Sequence, residues 1–156
     1  MGAQIKVLSV PLTAATHGTG SEVDTGLNLP AKAVVLDVIL DVTTAETTGT
    51  TKTLDIGTMT TSNDPDGFAD GLSVASTGRK RPGVTVTTGS NETYLSAATR
   101  GALLATFVAG SDTATDVGTY VEHPDVTSSA DDISVTSGSE LTEFACTLII
   151  LYMEVA

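Results

Sequence analysis

Ala33-Val34-Val35-Leu36-Asp37-Val38-Ile39-Leu40-Asp41-Val42 is followed by a Thr/Gly turn and then by Lys52-Thr53-Leu54-Asp55-Ile56-Gly57. The first run alternates with a period of two, the pattern of a half-buried strand. It places Val34, Leu36, Val38, Leu40 and Val42 on one side, and Asp37 and Asp41 on the other with Val35 and Ile39. A slip of one residue would put both aspartates in the core, so the pairing register is well specified. The second run turns Leu54 and Ile56 inward and Asp55 outward. With a turn over 46–51, the two runs read as a β-hairpin. Next comes Asn63-Asp64-Pro65-Asp66-Gly67-Phe68-Ala69-Asp70-Gly71. Its acidic, Gly-rich composition predicts a loop over 63–78 with one helical turn at 66–72. Asp64 suits the cap of such a turn and Pro65 its first position.

The same reading extends in both directions. Residues 4–12 form a strand with Ile5 and Val7 on one face and Lys6, Leu8 and Val10 on the other. Residues 13–26 read as a Thr/Gly loop containing His17. Residues 27–30 make a short extended edge, since Pro30 cannot donate to a ladder. Arg79-Lys80-Arg81-Pro82-Gly83 reads as a basic turn. Further strands fall at 84–87, 102–108, 117–122 and 131–136. Phe144 to Val155 is apolar at nearly every position, which predicts a central strand covered on both faces. About eight strands with little helix, and turns every 8 to 15 residues, describe an all-β chain. The fold class is a jelly roll or related antiparallel β-sandwich. The predicted core includes Val34, Leu36, Val38, Leu54, Ile56, Leu148 and Ile150.

The chain has 156 residues, which fits one domain over 1–156, with residues 1–12 as a candidate interface strand or arm. Nineteen acidic against seven basic residues give a net charge of -12. That balance repels phosphate backbones and anionic membranes, so neither nucleic acid nor a membrane is an expected partner. The N-terminal segment alternates and lacks the apolar core of a secretory signal. The single cysteine, Cys146, lies among apolar residues and reads as a small buried hydrophobe. Threonine accounts for roughly one residue in six, as suits extended backbone with hydroxyls on the solvent face. There is no tryptophan, which weighs against stacking platforms for sugars or bases.

Residue types that carry chemistry are present, but their spacing is not that of a site. Asp64, Asp66 and Asp70 are the candidates for a calcium loop. Pro65 intrudes, however, and no Glu closes the loop, so capped-turn aspartates are the preferred reading and no metal is expected to be required. His17 and His123 lie far apart, each in a loop, and read as solvated. No Gly-x-Ser-x-Gly elbow or phosphate-cradling Gly motif occurs. Asp131-Asp132 is unremarkable in so acidic a chain. Asn91-Glu92-Thr93 fits a glycosylation sequon only by accident. No catalytic residue, cofactor or enzymatic activity is expected. Arg79, Lys80 and Arg81 concentrate scarce positive charge in one run, and are candidates for contact with an acidic partner.

The order of these parts resembles the head decoration, or cement, proteins of tailed bacteriophages. The resemblance is carried by Leu27-Asn28-Leu29-Pro30, the Val34 to Val42 strand, Lys52-Thr53-Leu54-Asp55-Ile56-Gly57, Asp64 to Gly71 and the apolar terminal strand. It implies a structural virion protein on the outer capsid surface: a homotrimer bound to the major capsid protein that stabilises the shell. The N-terminal segment and Arg79, Lys80 and Arg81 would be its contacts with the shell. The alternative is a receptor- or glycan-binding module of a head fibre or tail.

Overall fold

In a computed structural model, the described residues are 4–60, 63–82, 99–100, 106–108, 119–121 and 130–154. The strand expected at 84–87, the sequon at Asn91, and His123 lie outside them. In chain order the elements are β1 (Ile5–Thr13), α1 (Ala14–His17), β2 (Glu22–Leu29), β3 (Ala33–Thr44), β4 (Thr53–Thr58), β5 (Asp64–Ser73) and β6 (Gly78–Lys80). They continue with β7 (Thr99–Arg100), β8 (Thr106–Val108), β9 (Thr119–Val121), β10 (Asp131–Ser137) and β11 (Ala145–Glu154). One sheet has the order β1-β11-β3-β6 and the other β2-β10-β4-β5-β7, while β8 and β9 pair with each other. With β7, β8 and β9 set aside, successive strands alternate between the two sheets except at β4–β5, the topology of an eight-stranded jelly roll. The all-β sandwich expected from the sequence is what forms. Among the described residues no helix is long and apolar enough to cross a membrane.

The hairpin read from 33–57 does not form. β3 pairs with β11 and β6, whereas β4 pairs with β10 and β5 in the other sheet. The connection at 45–52 is a corner between sheets, and buried Glu46 organises it. One carboxylate oxygen accepts from the Thr48 and Gly49 amides at 3.0 and 3.2 Å and from the Thr48 hydroxyl at 2.7 Å. The other accepts from the amides of Thr142, Glu143 and Phe144 at 2.9, 2.8 and 3.3 Å. The Glu46 amide donates to the Val74 carbonyl at 2.8 Å. This carboxylate thus joins the β3–β4 corner to the β10–β11 corner, and the backbone turns away from β3 instead of folding back on it.

The inward faces of the sheets close one core around Phe68, Leu40, Leu54, Ile56, Leu148 and Ile150, all fully buried. Of the predicted core, Val38, Leu54, Ile56, Leu148 and Ile150 are there, and Val34 is buried outside the central cluster. Leu36 is only half-buried. The β3–β11 register shifts between Leu151 and Tyr152, which face Asp37 and Val35. Leu36 is therefore an extra residue in β3, a bulge that reverses which side chains face inward. Val35 enters the core in its place.

Two segments read as loops are strands that absorb their glycines in bulges. β2 runs through Gly26, at φ 75°, and its pairing with β10 shifts between Asp132 and Ser134. Asp24 accepts from the Gly26 amide at 2.7 Å, and the Thr25 hydroxyl donates to the Ile133 carbonyl at 2.7 Å. The helical turn expected at 66–72 is likewise part of β5, which pairs with β4 through two register shifts. Phe68, Ala69 and Leu72 are buried, and burying them against β4 outweighs the local preference of Pro65 for a helix start. Gly71, at φ 80°, sits at one shift, where Asp55 accepts its amide proton at 2.8 Å. At the other, the backbone of Asp64 and Pro65 folds directly over Gly57, leaving no space for a Cβ there.

A neutral apolar face on an acidic sandwich as the candidate functional site

Charge is divided unequally between the two sheets. β2, β4, β5 and β10 carry Glu22, Asp24, Asp55, Asp64, Asp66, Asp70, Asp131 and Asp132 and no basic residue. The two-residue β7 adds Arg100 at their edge. In the four-stranded sheet, Asp37, Asp41 and Glu154 are matched by Lys6, Arg79 and Lys80. Among the described strands, acidic charge is therefore concentrated in one sheet, and the other sheet is close to neutral.

The outer face of the neutral sheet is apolar. β11 turns Cys146, Leu148, Ile150 and Tyr152 into the core and leaves Thr147, Ile149, Leu151 and Met153 half-buried. β11 is the central strand expected, between β1 and β3, but it is fully covered on one face only, and its second apolar face is partly covered. β1 lies beside it, with Ile5 opposite Met153 and Val7 opposite Leu151. Ile5 is 62% exposed and Val7 58%. On the other flank Ile149 faces Ile39 of β3. Contiguous exposed apolar area of this kind marks interaction surfaces more often than single exposed residues do.

Both segments singled out for contact fall on this sheet, at opposite edges. The N-terminal segment is β1. The basic run is not a turn: β6 is an edge strand, with Arg79 opposite Asp41 and Lys80 opposite Leu40. Strand alternation splits its charges. Arg79 lies on the outer face, and Arg81 reaches Asp37 at 2.9 Å. Lys80 folds back onto its own turn, 2.8 Å from the Ser76 hydroxyl. The outer face is therefore an apolar field bordered on one side by alternating Asp and Arg; the Lys6–Glu154 pair, at 2.7 Å, lies at the strand ends with the parity of the opposite face.

The remaining candidate residues lie elsewhere. Asp66 and Asp70 are exposed and Asp64 is half-buried, all on β5. Burial raises the pKa of the neighbouring Asp55; the Gly71 amide offsets this in part, and the charges of Asp70 and Asp66 add to it. Among the described residues no three carboxylates, histidines or cysteines come together as a metal-holding group. His17 is not solvated: it is buried in α1 with its Nδ1 2.6 Å from the Thr16 hydroxyl, and burial lowers its pKa. Cys146 is the buried hydrophobe expected, its thiol pushed up to about 12 by burial. The sequence contained the signal for the outer face, in that β11 is apolar at both parities, but that signal reads equally as burial on both sides.

No family model matches the chain, and no curated protein matches it. Solved structures similar to it include a chain of the cyanophage Pam1 capsid asymmetric unit, 19% identical with a TM-score of 0.49, covering 99% of this chain and 87% of that one. Another is a chain of the capsid of Ralstonia phage GP4, 18% identical with a TM-score of 0.45, covering 98% of this chain and 86% of that one.

Proposed function

We propose that this protein decorates the outside of a tailed-phage head, docking through the outer face of its four-stranded sheet and stabilising the shell. The resemblance of its sequence to decoration proteins supplies the partner, the major capsid protein. The observation that carries the mode of binding is the division of charge: a neutral apolar face backed by an acidic sheet. Toward an acidic shell surface, a body of net charge -12 approaches most favourably with its acidic side outward, and apolar burial then drives the contact. A ligand that binds the assembled lattice and not free subunits stabilises the lattice by mass action, and many copies multiply the effect. The role is structural and calls for no catalysis and no cofactor.

The test is re-addition of purified protein to heads from which it has been removed, with occupancy measured after sedimentation. Val7→Asp and Ile149→Asp place a charge in the apolar field and should abolish binding. Asp66→Ser and Asp70→Ser, on the acidic sheet, should leave occupancy unchanged. Loss of binding in the second pair and not the first would reverse the proposed orientation. Binding of the wild type to tails and not to heads would favour the receptor-binding alternative.

A further inference from the structure

Positive charge is scarce in this chain, seven residues against nineteen acidic, and most of the described cations are engaged within the chain itself. Lys6 pairs with Glu154 at 2.7 Å and Arg81 with Asp37 at 2.9 Å. Lys52 donates to the Thr47 carbonyl at 2.8 Å. Lys80 donates to the Ser76 hydroxyl at 2.8 Å and the Thr77 carbonyl at 3.3 Å. Among the described side chains, Lys32 and Arg79 are the basic residues that make no ion pair or hydrogen bond. Lys32 sits in the turn that crosses from β2 in one sheet to β3 in the other. Arg79 stands on a sheet face, exposed, in β6.

Register sets its place on that face. β6 pairs with β3 so that Arg79 faces Asp41, and Asp41 in turn faces Thr147 of β11. Asp41 is half-buried and makes no ion pair among the described residues. The rows beyond are apolar: Ile39 beside Ile149, then Leu151 beside Val7, then Met153 beside Ile5. Arg79 therefore marks one corner of the apolar field, in its polar end row. Apolar burial is non-directional and would hold this sheet against a flat surface in many orientations. A charged contact at one corner fixes one of them and disfavours the rest. A guanidinium offers a planar fork of donors that matches a carboxylate in two parallel hydrogen bonds, and it is more weakly hydrated than an ammonium, which suits a contact that loses water on docking.

We infer that Arg79 takes a carboxylate of the shell protein and so sets the orientation in which the neutral sheet docks. This rests on the docking reading above and narrows it: of the three basic residues in the run, Lys80 and Arg81 act within the chain and Arg79 acts between chains. Charge complementarity selects the ligand. Arg79 is the point on this face at which an acidic surface is attracted, while Asp41 beside it disfavours a second acid in the same row. The match therefore has a polarity, with an acidic side chain of the shell opposite Arg79 and none opposite Asp41.

The re-addition assay, run at low and at high salt, tests this. At low salt Arg79→Ala should weaken binding roughly tenfold or more, as for the loss of hydrogen bonds to a charged group. The gap between this variant and the wild type should narrow as salt rises, because an attraction at the rim of the face is screened. Arg79→Lys keeps the charge without the fork and should fall between the two. Lys52→Ser removes one positive charge from the corner between the sheets and should match the wild type. Val7→Asp separates the two claims. If Val7→Asp fails to bind while Arg79→Ala matches the wild type at low salt, the docking face stands and the Arg79 contact is overturned. Binding by Val7→Asp overturns the docking face itself. A loss in Lys52→Ser equal to that in Arg79→Ala would also overturn the contact, since net charge alone would then explain both.

Discussion

Glu46 is the residue on which most of one end of the sandwich depends. Burial pushes its carboxyl up, but the Glu143 amide and the hydrogen bonds from Thr48 and Gly49 outweigh this and hold it well below the usual carboxylate range. A carboxyl whose folded pKa lies below its unfolded value, near 4.3, contributes stability above that value and loses it as pH falls towards the folded pKa. The melting temperature should therefore fall as pH is lowered below about 4.3, and Glu46→Gln should flatten that part of the profile while lowering stability at neutral pH. Glu46→Ala leaves the amides of Thr142, Glu143 and Phe144 unpaired at once. Of these bonds only that of Phe144 is buried, those of Thr142 and Glu143 being part-buried; an unsatisfied buried donor costs roughly 1–3 kcal/mol, so denaturant unfolding should register a loss of at least about 1 kcal/mol. Asp55 has the opposite sign: its raised pKa means that its ionised form opposes folding, and its contribution to stability improves as pH falls through that value. Asp55→Asn keeps an oxygen for the Gly71 amide and removes the repulsion from Asp70 and Asp66, so stability at neutral pH should hold or rise. None of this was legible in the sequence, where Glu46 is one acidic residue in a Thr/Gly turn and three of its donors, the amides of Thr142, Glu143 and Phe144, are distant along the chain.

At the scale of elements, alternation identified strands reliably but not their bulges or partners. β3, β4, β10 and β11 were legible because an apolar residue recurs at every second position. β2 and β5 were not, because Gly26, Pro65, Gly67 and Gly71 are read as breakers, whereas here bulges accommodate them within a ladder. The acidic residues next to those glycines then gain a structural role: Asp24 bonds the Gly26 amide and Asp55 the Gly71 amide. Gly57→Ala should be strongly destabilising in thermal melts, because the new Cβ would overlap the Asp64 carbonyl and Pro65 backbone. The β3 bulge gives a graded expectation. Leu40→Ala, at a fully buried position, should cost about 2–5 kcal/mol, and Leu36→Ala, which strict alternation would place in the core, should cost clearly less in the same denaturant titration. Equal losses would mean that Leu36 packs as alternation alone predicts. The hairpin read across 46–51 shows the same limit from another side: two adjacent strands with a short connection pair in many proteins, and only the distant β10–β11 corner decides that these do not.

For the whole molecule, the sequence contained the net charge and the two candidate contact segments, but not their arrangement. Folding places β1 and β6 at the two edges of one sheet and gathers the carboxylates of β2, β4, β5 and β10 on the other. This polarity, unlike the total charge, distinguishes one side of the molecule, and the proposed docking rests on it. It also bears on β11, whose second apolar face is only partly covered and would be covered by the proposed partner. The most direct measurement is a cryo-EM reconstruction of heads decorated with this protein, at a resolution that fixes the sandwich's orientation. The account requires Ile5, Val7, Ile149 and Leu151 against the shell, with the strands carrying Asp24, Asp66 and Asp70 facing solvent. A reconstruction with the acidic sheet against the shell, or with the protein absent from the head and present on the tail, would contradict it.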